Sequence, residues 1–465
     1  MSGRRFHIRT YGCQMNVHDS DKLANLLYHG GFESASEADG ADVLMINTCS
    51  IRDKAENQLY SDLGALREWK SGLPGRVIGV GGCVAQQVGD SLLKRFPHLD
   101  FVFGTHNLRL VPSMLEAAQR GERRSETGET RSLERFDLPL PHPGIRGEEQ
   151  GRAFLTVMEG CDMFCAFCIV PQTRGREISR PAKGIIEEAR RLAEHGVREV
   201  TLLGQTVNAY GRHAERRGHS EQAGTLPFAE LLSELNAVPG LERIRYTSPH
   251  PLFFDQALIQ AHASLEHLCP HVHIPLQSGS DAVLEKMRRR YTRDEFLGIT
   301  EGLKAAVPDI ALTTDVIVGF PGEKEKDFLE TLDLVQAVGF VDSYSFKYSS
   351  RPGTTAAEFA EAVEGPEAQR RLEALQEVQR SLTLAHHRAC IGRRVQILVH
   401  GESRRGRGQL CGRDAHHRLV NLAPDAAGAA PRARPGEIHE VEIVEATPHS
   451  LIGSLVPGEA SAGIA

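Results

Sequence analysis

The stretch Gly160-Cys-Asp-Met-Phe-Cys-Ala-Phe-Cys168 contains three cysteines in the spacing C-x3-C-x2-C. Three thiolates this close together can ligate three irons of a [4Fe-4S] cluster, whereas four thiolates would saturate it. An iron left open on a reducing cluster can bind the amino and carboxylate groups of S-adenosylmethionine and cleave that molecule to a carbon radical. The spacing therefore predicts that Cys161, Cys165 and Cys168 are catalytic residues and the ligands of a radical-forming cluster.

Two other kinds of site also use clustered cysteines. Structural zinc sites usually show paired C-x2-C units with a fourth ligand at a set spacing. Electron-carrier ferredoxins usually supply a fourth cysteine close to the first three. The sequence beyond Cys168 shows neither pattern, so the spacing favours the radical-forming cluster over both alternatives.

The length and composition are typical of a soluble protein with several domains. The chain has 465 residues, which suggests about three domains. Its 40% hydrophobic and 25% charged residues are sufficient for substantial cores. No run approaches the ~20 apolar residues of a membrane span. The start, from Met1 to His7, leads into a strand-like segment rather than a signal peptide. We therefore expect a cytoplasmic protein with no membrane partner.

Cysteine use and net charge narrow the function further. Nine cysteines in a reducing compartment indicate metal binding or catalysis rather than disulfides. The net charge of −7 gives no global argument for a nucleic-acid partner, so such a partner must be bound by local basic patches.

The N-terminal residues 4–119 alternate strand-like and amphipathic segments. Predicted strands are Arg5–Tyr11, Asp42–Asn47 and Arg76–Val80. Alternation of strands and helices predicts a small α/β domain with a parallel sheet that is covered by helices.

A cysteine follows each of these strands, namely Cys13, Cys49 and Cys83. Because the carboxyl ends of parallel strands meet at one edge of a sheet, we expect the three thiols to lie close together. Buried free cysteines are common in proteins, so unrelated thiols are the alternative. Three strand ends out of three favour a second metal site, again with three ligands and one open iron.

The central residues 147–378 follow an aperiodic segment, 120–146, that we interpret as a linker. Six strand-like runs separated by helical patterns predict a partial, open (β/α)6 barrel. The runs are Ala153–Met158, Glu199–Leu203, Arg243–Thr247, His271–Leu276, Ala311–Val318 and Ser343–Tyr348. Since the cysteine run follows the first strand, the predicted cluster lies at the carboxyl-end mouth of the barrel, where barrel enzymes place their chemistry.

The tail, residues 380–456, follows a predicted helix over Glu367–Arg388 and has an all-β pattern. Short strands with glycine turns predict a small closed, OB-like barrel. Its predicted strands are Arg394–His400, Leu419–Leu422, His439–Val444 and Ser450–Gly453. Between Cys390 and Gly436 there are nine arginines and three acidic residues. Solvated loops would explain them, but a basic barrel appended to an enzyme more often binds nucleic acid.

Taken together, the motifs resemble the methylthiotransferases, a radical-SAM family with an N-terminal cysteine domain and a C-terminal TRAM domain. The resemblance covers nearly the whole chain except the linker and the last dozen residues. The matching stretches are Tyr11–Asn16, Asn47–Arg52, Gly82–Gln86, Gly160–Pro171, Thr173–Glu177, Leu202–Gly211, Pro275–Ser280 and Asp315–Glu323.

Within the family, the chain is most similar to the branch that adds a methylthio group at C2 of N6-isopentenyladenosine, next to the anticodon of certain tRNAs. The discriminating stretches are Cys49–Glu56 and Cys168–Glu177. Gln172 stands where an aromatic residue is commoner, and Ser350 and Thr355 stand where prolines are commoner. The sister branches act on threonylcarbamoyl-adenosine in tRNA or on a ribosomal-protein aspartate, and they differ after the third cluster cysteine.

The resemblance implies two [4Fe-4S] clusters and S-adenosylmethionine as cofactors. It makes Cys13, Cys49 and Cys83 the ligands of an auxiliary cluster that delivers sulfur. One S-adenosylmethionine would donate the methyl group and another would become the 5′-deoxyadenosyl radical. The implied partners are a tRNA carrying N6-isopentenyladenosine, an external electron donor and a sulfur source, and we expect a monomer. The alternative from another class is a non-catalytic iron–sulfur RNA-binding protein.

The S-adenosylmethionine pocket is predicted from polar residues at the strand ends of the barrel mouth. These cofactor-binding candidates are Gln205, Asn208, Ser248, Gln277, Ser278 and Asp315. Ordinary barrel capping is the alternative for each of them. The basic run from Lys286 to Arg290 is either a solvated helix face or a contact to the tRNA backbone. Cys269, Cys390 and Cys411 lack metal-ligand spacing and are interpreted as ordinary thiols.

Overall fold

The computed structural model describes residues 3–50, 53–130, 132–139, 151–212, 224–403, 408–424 and 431–456. Within these residues the chain forms a six-stranded sheet, two main three-stranded sheets and a closed five-stranded barrel, in that order. The predicted fold class is therefore confirmed: an N-terminal α/β domain, a central partial barrel and a small all-β tail.

The N-terminal domain is a parallel sheet with strand order β2-β1-β3-β4-β5-β6. Its strands are β1 (Arg5–Tyr11), β2 (Glu33–Ser34), β3 (Val43–Thr48), β4 (Val77–Gly82), β5 (Phe101–Phe103) and β6 (Arg124–Glu126). Its helices are α1 (Gln14–His29), α2 (Asp53–Gly72), α3 (Cys83–Arg95) and α4 (Val111–Gln119). Strands β3 and β4 are buried along their whole length, as expected for central strands with helices on both faces.

The strand ends of this domain are level with one another. Tyr11 pairs with Thr48, and Thr48 pairs with Gly82, so β1, β3 and β4 end at one edge of the sheet. Strand β6 lies in the segment predicted as linker, and the sheet therefore continues beyond the predicted boundary at residue 119. Three residues, Arg-Ser-Glu, are too short and too polar to produce a strand pattern in the sequence.

The central domain has six parallel strands of the partial barrel within its described part, in the orders β11-β10-β7 and β12-β13-β14. These six strands are β7 (Arg152–Thr156), β10 (Glu199–Leu203), β11 (Arg243–Tyr246), β12 (His271–His273), β13 (Ala311–Val318) and β14 (Asp342–Lys347), and a separate antiparallel pair is formed by β8 (Met158–Glu159) and β9 (Ile178–Ser179). The helices are α5 (Val170–Thr173), α6 (Ala182–Glu194), α7 (Phe228–Asn236), α8 (Gln256–Ser264), α9 (Asp281–Lys286), α10 (Arg293–Ala306), α11 (Glu325–Val338) and α12 (Gly365–Arg388). A parallel bridge between Ile244 and Leu268 joins the two sheets.

The tail is the closed barrel β15-β16-β17-β19-β18. Its strands are β15 (Arg394–Glu402), β16 (Leu410–Asp414), β17 (Leu419–Leu422), β18 (Ile438–Ala446) and β19 (Leu451–Leu455). Alternate apolar residues such as Ile397, Val399, Val441 and Ile443 fill its core. The sequence does not predict β16, because Leu-Cys-Gly-Arg-Asp lacks apolar alternation.

Two buried arginines fix the tail barrel against the central domain. Arg243 donates to the backbone carbonyls of Gln396 and Arg413, both at 2.9 Å. Arg245 donates to the carbonyls of Asp414 at 2.8 Å and Ala415 at 2.9 Å. Beneath them lies a fully buried carboxylate.

That carboxylate, Glu199, forms ion pairs with Arg152 at 2.7 Å and with Arg245 at 3.2 Å. Burial alone would raise its pKa, but the surrounding guanidinium groups outweigh burial and hold the pKa of Glu199 at about 2. The carboxylate therefore remains ionised and orients the arginines that carry the tail. In the parts of the chain described above, no helix has both the length and the apolar character needed to cross a bilayer.

Candidate iron–sulfur centres

The C-x3-C-x2-C loop lies at the mouth of the central barrel, as predicted. It begins at Gly160, whose φ is +80° and where an added Cβ would lie 2.2 Å from the carbonyl oxygen of Arg176. Only glycine fits there. Cys161 and Cys165 are buried and pack in one cluster with Cys168. The structure therefore brings together the three residues of the barrel triad, our name for Cys161, Cys165 and Cys168.

Two side chains contact the thiols of the barrel triad. The Thr206 hydroxyl lies 3.0 Å from Cys161 Sγ, and Nη1 of Arg289 donates to Cys165 Sγ at 3.4 Å. Burial raises the pKa of Cys161 to about 11 and that of Cys168 to about 12. Without metal these thiols are protonated, and coordination to a metal deprotonates a thiol.

The N-terminal triad, Cys13, Cys49 and Cys83, gathers at the level edge of the N-terminal sheet. Cys13 is the N-cap of α1, and Cys83 is the first residue of α3. Both lie where a helix N-terminus favours a thiolate. A Cβ at Gly12 would lie 2.5 Å from the Cβ of Cys49. A hydrogen bond with Cys49 lowers the pKa of Cys13 to about 6. The level ends of β1, β3 and β4 thus bring these thiols to one edge of the sheet, as the strand pattern predicts.

The N-terminal domain packs on the barrel mouth through charged contacts. Lys22 of α1 pairs with Glu159 at 3.6 Å and donates to the Thr156 hydroxyl at 3.3 Å. Arg174 donates through Nη2 to Asp19 at 2.6 Å. The next residue, Gly175, accepts a hydrogen bond from the backbone N–H of Cys161 at 3.2 Å. Because the Arg174 side chain also hydrogen-bonds to Cys83, a single loop contacts both triads.

The donor set of each triad fits an iron–sulfur cluster better than a single metal ion. Among the residues that the structure describes, no three His, Cys, Asp or Glu side chains converge closely enough to hold one ion. In a [4Fe-4S] cluster each thiolate binds a different iron, so the sulfurs surround the cluster instead of meeting at one point. Each triad supplies three cysteine thiols, which are the usual ligands of such a cluster.

Two of the predicted cofactor residues have their polar groups occupied by neighbouring residues. Asn208 accepts from the backbone N–H of His250 at 2.8 Å and donates to its carbonyl at 3.0 Å. The Ser278 hydroxyl lies 3.3 Å from the hydroxyl of Thr331 and accepts from the N–H of Ser280 at 3.3 Å. Both residues shape the loops at the mouth, and cofactor contact by them stays a prediction.

The other four candidates have features typical of binding sites. Gln205 accepts from Gly160 N–H at 2.5 Å, while its buried Nε2 has no hydrogen-bond partner among the described residues. Ser248 and Gln277 have positive φ, +58° and +69°, a strain that is common near ligand sites. Asp315 pairs with Nε2 of His273 at 3.3 Å. Their role in binding S-adenosylmethionine also stays a prediction.

The basic run predicted as a solvated face or an RNA contact divides into two kinds of residue. Arg288 and Arg290 are exposed, with φ of +58° and +59°. Arg289 is buried, where it donates to Cys165 and to the carbonyl of Pro275 at 3.0 Å. Neither alternative holds for Arg289, because its guanidinium is buried and hydrogen-bonded within the protein. Thr206 and Arg174 are not among the predicted site residues, although they lie within the matching stretches Leu202–Gly211 and Thr173–Glu177.

Other sequence predictions concern residues outside the two triads. The Arg404, Arg405 and Arg407 turn lies outside the described residues. Cys269 and Cys390 are buried, and Cys390 accepts from Arg418 at 2.8 Å. Among the described residues, neither they nor Cys411 belongs to a group of side chains that could hold a metal ion.

Comparison with known proteins agrees with the fold. Residues 155–335 match the radical SAM superfamily, and residues 5–104 match a family described as uncharacterized protein family UPF0004. Among solved structures, the radical S-adenosylmethionine methyltransferase TsrM from Kitasatospora setae, with cobalamin and a [4Fe-4S] cluster bound, superposes with a TM-score of 0.52 at 13% identity. That match covers 76% of this chain and 74% of TsrM. The cobalamin-dependent radical enzyme OxsB gives a TM-score of 0.52 at 12% identity, over 81% of this chain and 56% of OxsB. The central domain is thus that of a radical SAM protein.

Curated relatives match along nearly the whole length. A protein from Geotalea uraniireducens (strain Rf4) is 47% identical over 97% of this chain and 98% of its own length. A protein from Pseudomonas paraeruginosa (strain DSM 24068 / PA7) is 46% identical over 98% of this chain and 99% of its own length. A protein from Nocardia farcinica (strain IFM 10152) is 43% identical over 97% of this chain and 88% of its own length. All three are named tRNA-2-methylthio-N(6)-dimethylallyladenosine synthase. The chain belongs to this family.

Proposed function

We propose that the protein adds a methylthio group at C2 of N6-dimethylallyladenosine, also called N6-isopentenyladenosine, next to the anticodon of tRNA. The observation that carries the proposal is the pair of cysteine triads linked by one loop, in a chain that aligns end to end with synthases of this name. Two metal centres at one domain contact suit a reaction that must both open a C–H bond and supply sulfur.

The chemistry explains why metal centres are needed. An aromatic C–H bond has no acidic proton, so general acid–base groups cannot activate it. In the proposal, the barrel triad holds the cluster that, when bound, supplies the electron for cleavage of S-adenosylmethionine. Thr206 and Arg289 orient the thiolates of that triad and lower the cost of their negative charge.

The N-terminal triad has the second task in this proposal. Cys13, Cys49 and Cys83 hold an auxiliary cluster with one iron open to a sulfur ligand. The burial of Cys49 and Cys83, at 1% and 5% exposed, excludes water from reactive sulfur. The reaction consumes electrons and a sulfur atom, which we assign to external donors, and we propose that the protein works as a cytoplasmic monomer.

The test is anaerobic reconstitution with iron and sulfide, followed by turnover with S-adenosylmethionine and a strong reductant. Transfer RNA is offered in three forms: with dimethylallyladenosine, with threonylcarbamoyl-adenosine and with unmodified adenosine. Nucleoside mass spectrometry should find the methylthio group only in the first. A ribosomal protein with the target aspartate is the fourth substrate. Methylthiolation of any other substrate but not of dimethylallyladenosine would contradict the proposal.

A further inference from the structure

Arg174 is a residue of the central domain whose side chain reaches the N-terminal triad. Its side chain is 4% exposed, and the side chain of its ion-pair partner Asp19 is 3% exposed. Its guanidinium acts electrostatically on the thiol of Cys13 and both electrostatically and through a hydrogen bond on the thiol of Cys83. A charge so deeply buried requires strong compensation.

The charge of Arg174 is compensated, because burial alone would lower the pKa of the guanidinium, but Asp19, Glu159 and the two thiols raise it above its ordinary value. Its hydrogen bonding, however, is incomplete. Nη2 donates to Asp19, whereas Nη1 is buried and has no hydrogen-bond partner among the described residues. The other nearby carboxylate, Glu159, is paired with Arg135 and Lys22. A buried guanidinium N–H left without an acceptor costs about 1–3 kcal/mol or more, so an acceptor that the described chain does not supply is expected there.

The groups beside Nη1 indicate what that acceptor is. Thiolates and the sulfides of an iron–sulfur cluster are hydrogen-bond acceptors, and a cluster with an added anionic sulfur ligand carries negative charge. Residues that hydrogen-bond to metal ligands commonly orient them and tune the metal, and a carboxylate often fixes the orienting residue in turn. Asp19 has the position of such a carboxylate.

We propose that Arg174 is a positioning residue for the auxiliary cluster: its Nη1 group donates to cluster sulfur or to the anionic sulfur ligand on the open iron. This inference rests on the proposed function, because it requires a cluster at Cys13, Cys49 and Cys83. Since the same loop accepts a hydrogen bond from Cys161 through Gly175, the central domain completes the surroundings of a cluster whose ligands belong to the N-terminal domain.

The test uses the full chain with Cys161, Cys165 and Cys168 replaced by Ala, so that only the auxiliary cluster is loaded. Iron content, the midpoint potential and the EPR spectrum of the reduced cluster are compared for Arg174→Gln and Arg174→Lys. Removal of the positive charge makes reduction harder, so Arg174→Gln should shift the potential to a more negative value. Arg174→Lys should keep the potential nearer that of the parent and change the EPR spectrum.

The matched control is Arg135→Gln, which also breaks a buried ion pair at the domain contact, with Glu159, but away from the thiols. It should leave the potential and spectrum of the cluster unaltered. Loss of the cluster from Arg174→Gln, with retention in Arg174→Lys and Arg135→Gln, would support the proposal. A loaded cluster with unaltered potential and spectrum in Arg174→Gln would overturn it, as would equal cluster loss in all three variants. Absence of iron in the parent would overturn the auxiliary site itself.

Discussion

The two cysteine triads, each proposed to bind a cluster, are assembled in opposite ways. The cysteines of the barrel triad lie within eight residues of one loop, so a local spacing reveals them. The cysteines of the N-terminal triad are spread from Cys13 to Cys83 and meet only because β1, β3 and β4 are adjacent and end level. The first triad depends on loop conformation and the second on the register of a sheet. A substitution in the loop should therefore affect only the barrel triad, and a substitution at the sheet edge should affect only the N-terminal triad.

The largest expected effect is the loss of all turnover when Cys161, Cys165 and Cys168 are replaced by Ala. Iron content should fall from about eight to about four per chain, because one of two [4Fe-4S] clusters is gone. Formation of 5′-deoxyadenosine, followed by liquid chromatography, should cease. If the variant still forms 5′-deoxyadenosine, the roles of the two triads are assigned wrongly.

Replacement of Cys13, Cys49 and Cys83 by Ala should give the complementary result. Iron should again fall to about four per chain, and S-adenosylmethionine cleavage should survive because the barrel triad is intact. Methylthiolation should stop, since no auxiliary iron remains to hold sulfur. A folded variant that keeps its barrel cluster but loses cleavage would show that the triads are not separable.

Arg289→Gln should lower S-adenosylmethionine cleavage about 10–100-fold, the usual cost of losing a group that hydrogen-bonds to a metal ligand. Arg288→Gln is the matched control, because this neighbour is exposed and forms no ion pair among the described residues. The ratio of the two cleavage rates is the measurement. Equal rates would mean that the contact with Cys165 has no functional weight.

Two glycine substitutions should each weaken only one of the two proposed clusters, and with a smaller effect than the removal of its cysteines. Gly160→Ala would press a Cβ to 2.2 Å from a backbone oxygen beside the barrel triad, and Gly12→Ala would press one to 2.5 Å from the Cβ of Cys49. Each forces a strained φ, at about 1–3 kcal/mol. Iron analysis and EPR should show partial loss of the barrel cluster in the first variant and of the auxiliary cluster in the second. If both variants lose the same cluster, the barrel triad and the N-terminal triad do not depend on separate structural elements.

The smallest expected effect concerns the tail. Arg404, Arg405 and Arg407 changed to Glu should weaken tRNA binding and flatten its salt dependence, because fewer counterions are released. Cleavage of S-adenosylmethionine without RNA should hardly change, and neither triad should lose iron. Filter binding at several salt concentrations measures the slope. An unaltered slope would direct attention to Arg288 and Arg290 as the RNA contact.

Longer strands could be predicted from the sequence more accurately than strands of three residues. Strands such as Arg5–Tyr11, Glu199–Leu203 and Ala311–Val318 are found at their predicted bounds, because apolar runs of this length have few alternative structures. Phe101–Phe103 and Arg124–Glu126 could not be predicted, since three residues carry no period.

For the site, ligands were easier to predict than the groups that contact them. Cysteine spacing and strand ends indicate chemistry directly, but the contacts of Thr206, Arg174 and Arg289 depend on long-range packing. Arg289 is buried between two exposed arginines, and unlike them it does not have a positive φ. A run of identical residues contains no signal for that difference.

The attachment of the tail barrel has a consequence for how this protein can vary. Arg243 and Arg245 bind only main-chain oxygens of the tail, and every amino acid supplies such an oxygen. Substitutions on the tail surface therefore leave these four hydrogen bonds available as long as the backbone keeps its path. The surface of the tail is free to vary in shape and charge while its attachment to the central domain stays the same.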